Sequence, residues 1–217
     1  MSKTLSQETK NLIYSYLDAS CNLYGLIPIK KIFSIYNSQN EPVSEEDFAE
    51  VISDIDFDNV FYYFIGHEDI FEDAEETRIT DKVLVAEYIL IDGFEDYFYM
   101  REMQMGIDYY VPEKKQLLKY ADQYYFEKTP EFISVRAFFR NMPDVDKETA
   151  DSIAEDIMLV MSLEINPYQS CFNEAYVRNL KFNQQQEDEL RMLLYELNRK
   201  VRKNYYCGHN LDEIDQM

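Results

Sequence analysis

Two runs decide the fold of this chain, Asn59-Val-Phe-Tyr-Tyr-Phe-Ile65 and Lys82-Val-Leu-Val-Ala-Glu-Tyr-Ile-Leu-Ile91. Both are rich in β-branched and aromatic residues. The first ends at Gly66 and the second at Asp92-Gly93, so each reads as a short strand bounded by turn signals. The linker between them, Glu68 to Asp81, is acidic. Upstream, three short helices are predicted. The first covers 6–23, with Ser6 as N-cap, Leu12, Ile13, Tyr16, Leu17 and Leu23 at helical spacing, and Gly25 as its stop. The second covers about 29–39, after Pro28. The third opens at Ser44, with Asp47 three residues on in a capping arrangement, and carries Phe48, Val51, Ile52 and Ile55. Three short helices followed by a two-stranded ribbon is the element order of a winged-helix module, here residues 1–92.

Downstream of the ribbon the chain reads helical throughout. Helices are predicted at 94–105, 113–126, 130–141, 147–165, 168–180 and 184–204. The clearest apolar stripes are Ala150, Ile153, Ala154, Ile157, Met158, Met161 and Ile165, then Leu190, Leu193, Leu194, Leu197 and Val201. Pro112, Pro130, Pro143 and Pro167 each fall near a helix start or break. The expected fold is therefore mainly α with a small β-hairpin (α+β): a winged-helix-like module over 1–92 and a helical bundle over 93–217.

Charge narrows the function classes. The 217 residues carry 42 Asp plus Glu against 21 Lys plus Arg, a formal net charge of −21. A protein that binds nucleic acid electrostatically needs a basic face to displace counterions from phosphates, and this composition opposes that. It also opposes docking on an anionic leaflet through a polybasic patch. The excess is concentrated. Residues 41–99 hold 19 acidic and 2 basic side chains, a net of −17. That places most of the charge on the third helix and the ribbon, the elements that would face phosphates in a DNA-binding winged helix.

Sites of chemistry are sparse. There is no G-x-G-x-x-G, P-loop or G-x-S-x-G elbow. Only two histidines are present, His67 and His209, and His67 reads as a turn residue. Asp54-Ile-Asp56-Phe-Asp58 alternates carboxylates, but residue 65, at the twelfth position of such a loop, is Ile rather than Glu, so no EF-hand is assigned. Cys21, Cys171 and Cys207 are scattered and odd in number, as in a reduced cytoplasmic protein. Cys207-Gly208-His209 reads as a C-terminal turn. Tyr205-Tyr206 beside Arg199, Lys200, Arg202 and Lys203 is the only basic, aromatic patch. Met1-Ser2-Lys3-Thr4 leads straight into the first amphipathic segment with no signal-peptide h-region, and no apolar run reaches membrane-span length. Neither cofactor nor metal is expected.

Three stretches carry a resemblance. They are Asn22-Leu-Tyr-Gly-Leu-Ile-Pro-Ile-Lys-Lys-Ile-Phe-Ser-Ile-Tyr-Asn-Ser-Gln-Asn40, Leu117-Leu-Lys-Tyr-Ala-Asp-Gln-Tyr-Tyr-Phe-Glu-Lys-Thr-Pro130 and Leu197-Asn-Arg-Lys-Val-Arg-Lys-Asn-Tyr-Tyr-Cys-Gly-His-Asn210. They resemble an uncharacterised family of Gram-positive bacteria related to SEC-C-motif-containing proteins. Some of those relatives end in a small zinc motif. This chain has no such cysteines after Gly208-His209-Asn210-Leu211, so the resemblance implies an interaction or accessory role without zinc.

The expected function is a non-enzymatic, cytoplasmic protein-interaction module whose partner is a protein with a basic surface, with no membrane and no direct nucleic-acid contact. The candidate partner-binding residues are Glu45, Glu46, Glu50, Glu72, Glu75, Glu76, Tyr205 and Tyr206. The alternatives are an inhibitor or DNA mimic acting on a basic nucleic-acid-binding protein, and a transcription regulator using the winged helix directly.

Overall fold

A computed structural model describes residues 5–143 and 145–217. Met1–Thr4, where the leader-free start was read, lie outside the described residues. Among the described residues the protein is mainly helical with one three-stranded antiparallel sheet, and it divides into two compact units, up to Tyr125 and from Phe126 onward.

In the first unit, α1 (Gln7–Tyr24) starts where Ser6 Oγ accepts the Thr9 amide and stops at Gly25, whose φ of +65° a side chain would oppose. β1 (Leu26–Pro28) follows, then α2 (Ile29–Gln39) and α3 (Glu45–Ser53). β2 (Tyr62–Ile65) and β3 (Val83–Ala86) complete the sheet in the order β1-β3-β2. Registers Ile27↔Leu84↔Phe64 and Leu26↔Val85↔Tyr63 put alternate residues on opposite faces. Ile27, Leu84, Phe64 and Tyr62 join the core built from Ile13, Tyr16, Leu17, Tyr24, Ile32, Tyr36, Phe48 and Val51. On the other face Leu26 and Val85 are also buried, and α4 (Glu95–Gln104) packs against β1.

Three expectations change here. The run 82–91 pairs only over Val83–Ala86, because β2 ends its register at Tyr62↔Ala86. Glu87–Leu90 instead turns as a 3-10 helix that buries Ile89. β1 was not foreseen; three residues between two helices give no periodic signal. The helix expected at 113–126 is only α5 (Lys114–Leu117) and a 3-10 turn at Leu118–Ala121. Its end is held from α1, where Asn22 Nδ2 lies 3.2, 3.0 and 3.3 Å from the carbonyl oxygens of Tyr120, Asp122 and Tyr125. Gln104 Nε2 likewise donates to the Tyr24 carbonyl and Tyr24 Oη to the Tyr110 carbonyl. These bonds tie 95–125 to α1, so the boundary falls at 125/126 rather than at 92/93.

The second unit is all helical: α6 (Pro130–Arg140), α7 (Lys147–Leu163), α8 (Tyr168–Tyr176), α9 (Gln184–Lys200) and α10 (Leu211–Ile214). Thr129, Asp146 and Asn183 supply the side-chain caps of α6, α7 and α9. The apolar stripes of α7 and α9 form one core with Phe132, Val135, Phe139 and Phe172. No helix of the described residues is long and apolar enough to cross a membrane.

Candidate functional site

The acidic stretch folds into two neighbouring features of the first unit. α3 buries Phe48, Val51 and Ile52 and turns Glu46 and Glu50 to solvent. Ser44 Oγ accepts the Asp47 amide, and Glu45, Glu46 and Asp47 sit in the first turn, where the helix dipole favours carboxylates. The second feature is the connection from Gly66 to Lys82. α3 packs against its last turn, Ile79–Asp81, and Thr80 Oγ1 donates to Glu45 Oε1 at 2.7 Å.

The acids of this connection divide by role. Glu68 accepts from the Thr77 amide at 3.0 Å and hydroxyl at 2.6 Å and pairs with Lys82 Nζ at 2.6 Å. Those donors, Lys82 first, pull its pKa down to about 2. Asp69 accepts the Gly66 amide at 2.7 Å. A Cβ on Gly66 would collide with the Glu68 carboxylate and push it from its place between Thr77 and Lys82. Asp81 pairs with Lys30 and with Arg78, which hold its carboxyl below the usual range. These three acids therefore shape the loop. Glu72, Glu75 and Glu76 are exposed, and no cation of the described residues lies within ion-pair distance of them or of Glu46 and Glu50.

Five of the six expected glutamates thus lie on open surface. Glu45 does not: it is half-buried and spends its carboxylate on Thr80. The region's two cations, Arg78 and Lys82, are both engaged by its own acids. Sequence reasoning missed this sorting, because Glu68 and Glu72 look alike until the Thr77 and Lys82 donors are placed.

Tyr205 and Tyr206 belong to the second unit, and the basic patch beside them is corrected. Arg199 bonds Asp212 and Asp215 at 2.6 Å each, Lys200 bonds Asp212 at 2.6 Å, and Arg202 pairs with Glu213 and Glu127. Lys203 is 2% exposed and donates to Asn198 Oδ1 at 2.5 Å and to the Met161 carbonyl. Burial lowers its pKa to about 8. The four cations are consumed inside the fold, and both tyrosines are half-buried. Cys207 and Gly208 take φ of +52° and +81°, and the Lys203 amide bonds the His209 carbonyl, closing the turn expected at Cys207-Gly208-His209.

Among the described residues no group of three or more His, Cys, Asp or Glu is placed to hold a metal ion. Burial pushes the Cys21 and Cys171 thiols up to about 12, far from a thiolate nucleophile. Comparison with protein-family models, curated proteins and solved structures finds no match for this chain.

Proposed function

We propose that the first unit is a winged-helix-like docking module whose DNA-facing positions have been inverted in charge to take a basic protein surface. The order α1-β1-α2-α3-β2-β3, with β3 central, supports the winged-helix part. In that frame α3 is the recognition helix and the β2–β3 connection is the wing. The observation that carries the docking part is the set of exposed, unpaired carboxylates on both, Glu46 and Glu50 on α3 and Glu72, Glu75 and Glu76 on the connection. Such a face raises the encounter rate with a basic partner and rejects phosphates.

The test is affinity capture with the wild type and a variant in which these five glutamates become glutamine, at low and high salt. Glu45 is left in place because it holds α3 to the Thr80 turn. Loss of the same identified, salt-sensitive partner from the variant supports docking; unchanged capture overturns it. Competition by duplex DNA for that partner would convert the reading to DNA mimicry. Direct duplex binding by the wild type at physiological salt would instead restore the transcription-regulator reading, against which the cation-free α3 stands.

A further inference from the structure

We propose that the face formed by Phe57, Phe61 and Tyr63 receives an arginine-bearing segment of the basic partner, a reading that deepens the docking function above and rests on it. Phe57 and Tyr63 are each 38% exposed and stack with centroids 6.0 Å apart and planes 25° apart. Phe57 also makes an edge contact with Phe64, centroids 5.4 Å apart. Phe61 is 59% exposed and leans out on the same side of β2 as Tyr63, with its carbonyl accepting the Glu87 amide. These rings form an aromatic platform beside the sheet that the described residues leave partly exposed.

Its surroundings define the occupant. Asp58 adjoins Phe57, Asp54 ends α3, and the exposed Glu87 starts beside Phe61. Among the described residues none of the three is in an ion pair. Elsewhere the chain places cations over its rings: Lys31 over Tyr109, Arg101 over Tyr97, Lys119 over Tyr125, Lys128 over Phe126, Arg136 over Phe132 and Arg191 over Phe172. Among the described residues no cation is placed over Phe57, Phe61 or Tyr63. The platform belongs to the acidic stretch 41–99, with Glu87 bonded to the Phe61 carbonyl across the ladder, and what it lacks is a cation with a flat apolar face. A guanidinium supplies it, stacking on the ring while its N–H groups reach the carboxylates, whereas an ammonium is a compact, strongly hydrated point charge. A second copy of the chain would bring the same acids and be repelled. Nucleobases also stack on rings, but their phosphates are repelled by the net charge of −17 that residues 41–99 carry.

The experiment titrates the full chain with a hexa-arginine peptide, a hexa-lysine peptide and a thymidine oligonucleotide, following the ring resonances of Phe57 and Tyr63 by NMR. The expected result is arginine binding about 5-fold tighter than lysine, the order set by an exposed cation–π contact, with the largest shifts on these two rings. The double variant Phe57→Leu, Tyr63→Leu keeps apolar area, and its arginine preference should fall to parity. If its thermal midpoint shows that losing the Phe57–Phe64 contact unfolds it, Tyr63→Leu alone serves. Equal binding of both peptides, or an arginine preference that survives in a folded variant, overturns the arginine assignment while leaving electrostatic docking standing. Binding of neither peptide overturns both. Preference for the oligonucleotide overturns the assignment in favour of a nucleic-acid face.

Discussion

Residues 41–99 and residues 197–215 manage charge in opposite ways. In the second stretch a cluster of cations at 199–203 meets a cluster of acids at 212–215 across a tight turn, and Arg199, Lys200 and Arg202 each find Asp212, Glu213 or Asp215. There the charges are used up in building the fold. In the first stretch acids outnumber cations 19 to 2. Three of them, Glu68, Asp69 and Asp81, take both cations with help from Lys30, and exposed glutamates are left over. Charges that cancel locally give structure. Charges of one sign give a surface field that only another molecule can neutralise.

The sharpest way to break the C-terminal half of this contrast is Lys203→Ala. The ammonium lies at the C-terminal end of α7, on the Met161 carbonyl, where the helix dipole favours a cation. Truncation leaves that carbonyl and Asn198 Oδ1 without their donor and opens a cavity, at a cost of about 3 kcal/mol by urea unfolding. The wild type carries a second signature. The pKa of Lys203 falls from 10.5 to about 8 on folding, so its contribution is present above 10.5 and is lost as pH falls through 8. A Lys203→Ala protein should lose that slope.

Asp18 offers a reversed sign in the first unit. Burial against Tyr62, whose hydroxyl it accepts, raises its pKa from 3.8 to about 6. Its contribution is therefore present below 3.8 and lost as pH rises through 6. Asp18→Asn should flatten stability between these values and stabilise the protein above pH 7 by about 1–2 kcal/mol, discounted for its partly wet position. A variant that loses stability at neutral pH would show that the Tyr62 bond outweighs desolvation.

Smaller effects separate the acids that shape the loop from those that face outward. Glu68→Gln should raise amide exchange at His67 and Thr77 without moving α3, and the wild-type loop should loosen in the same way as pH falls from 4.5 toward 2. Glu46→Gln with Glu50→Gln removes a like-charge pair one turn apart and should change stability by less than about 0.5 kcal/mol. A large stability loss there would mean that the outward acids also serve the fold.

Local signals were legible and long-range partners were not. Ser6 and Ser44 announced their helices, and Gly25 its stop, because a cap concerns a few adjacent residues. The stripes of α7 and α9 were readable because burial follows the 3.6-residue period. The candidate glutamates were found by charge density alone, which is why Glu45 was grouped with Glu46. Phe61 and Tyr63 were legible only as parts of an apolar strand run, and Phe57 only as a spacer between Asp56 and Asp58; alternation could have marked Phe61 and Tyr63 as outward, but not the stacking of Phe57 on Tyr63.

The sequence by itself determined the helical content, the excess of negative charge and its concentration in residues 41–99, because composition and short periodicities need no knowledge of what meets what. Only the tertiary structure decided which acids are spent and which remain. Glu45 meets Thr80, Glu68 meets Thr77 and Lys82, and Asn22 meets three carbonyls about a hundred residues away in the chain. A carboxylate's role depends on the donors within about 3 Å of it, and that distance is set by the fold rather than by its neighbours in the chain.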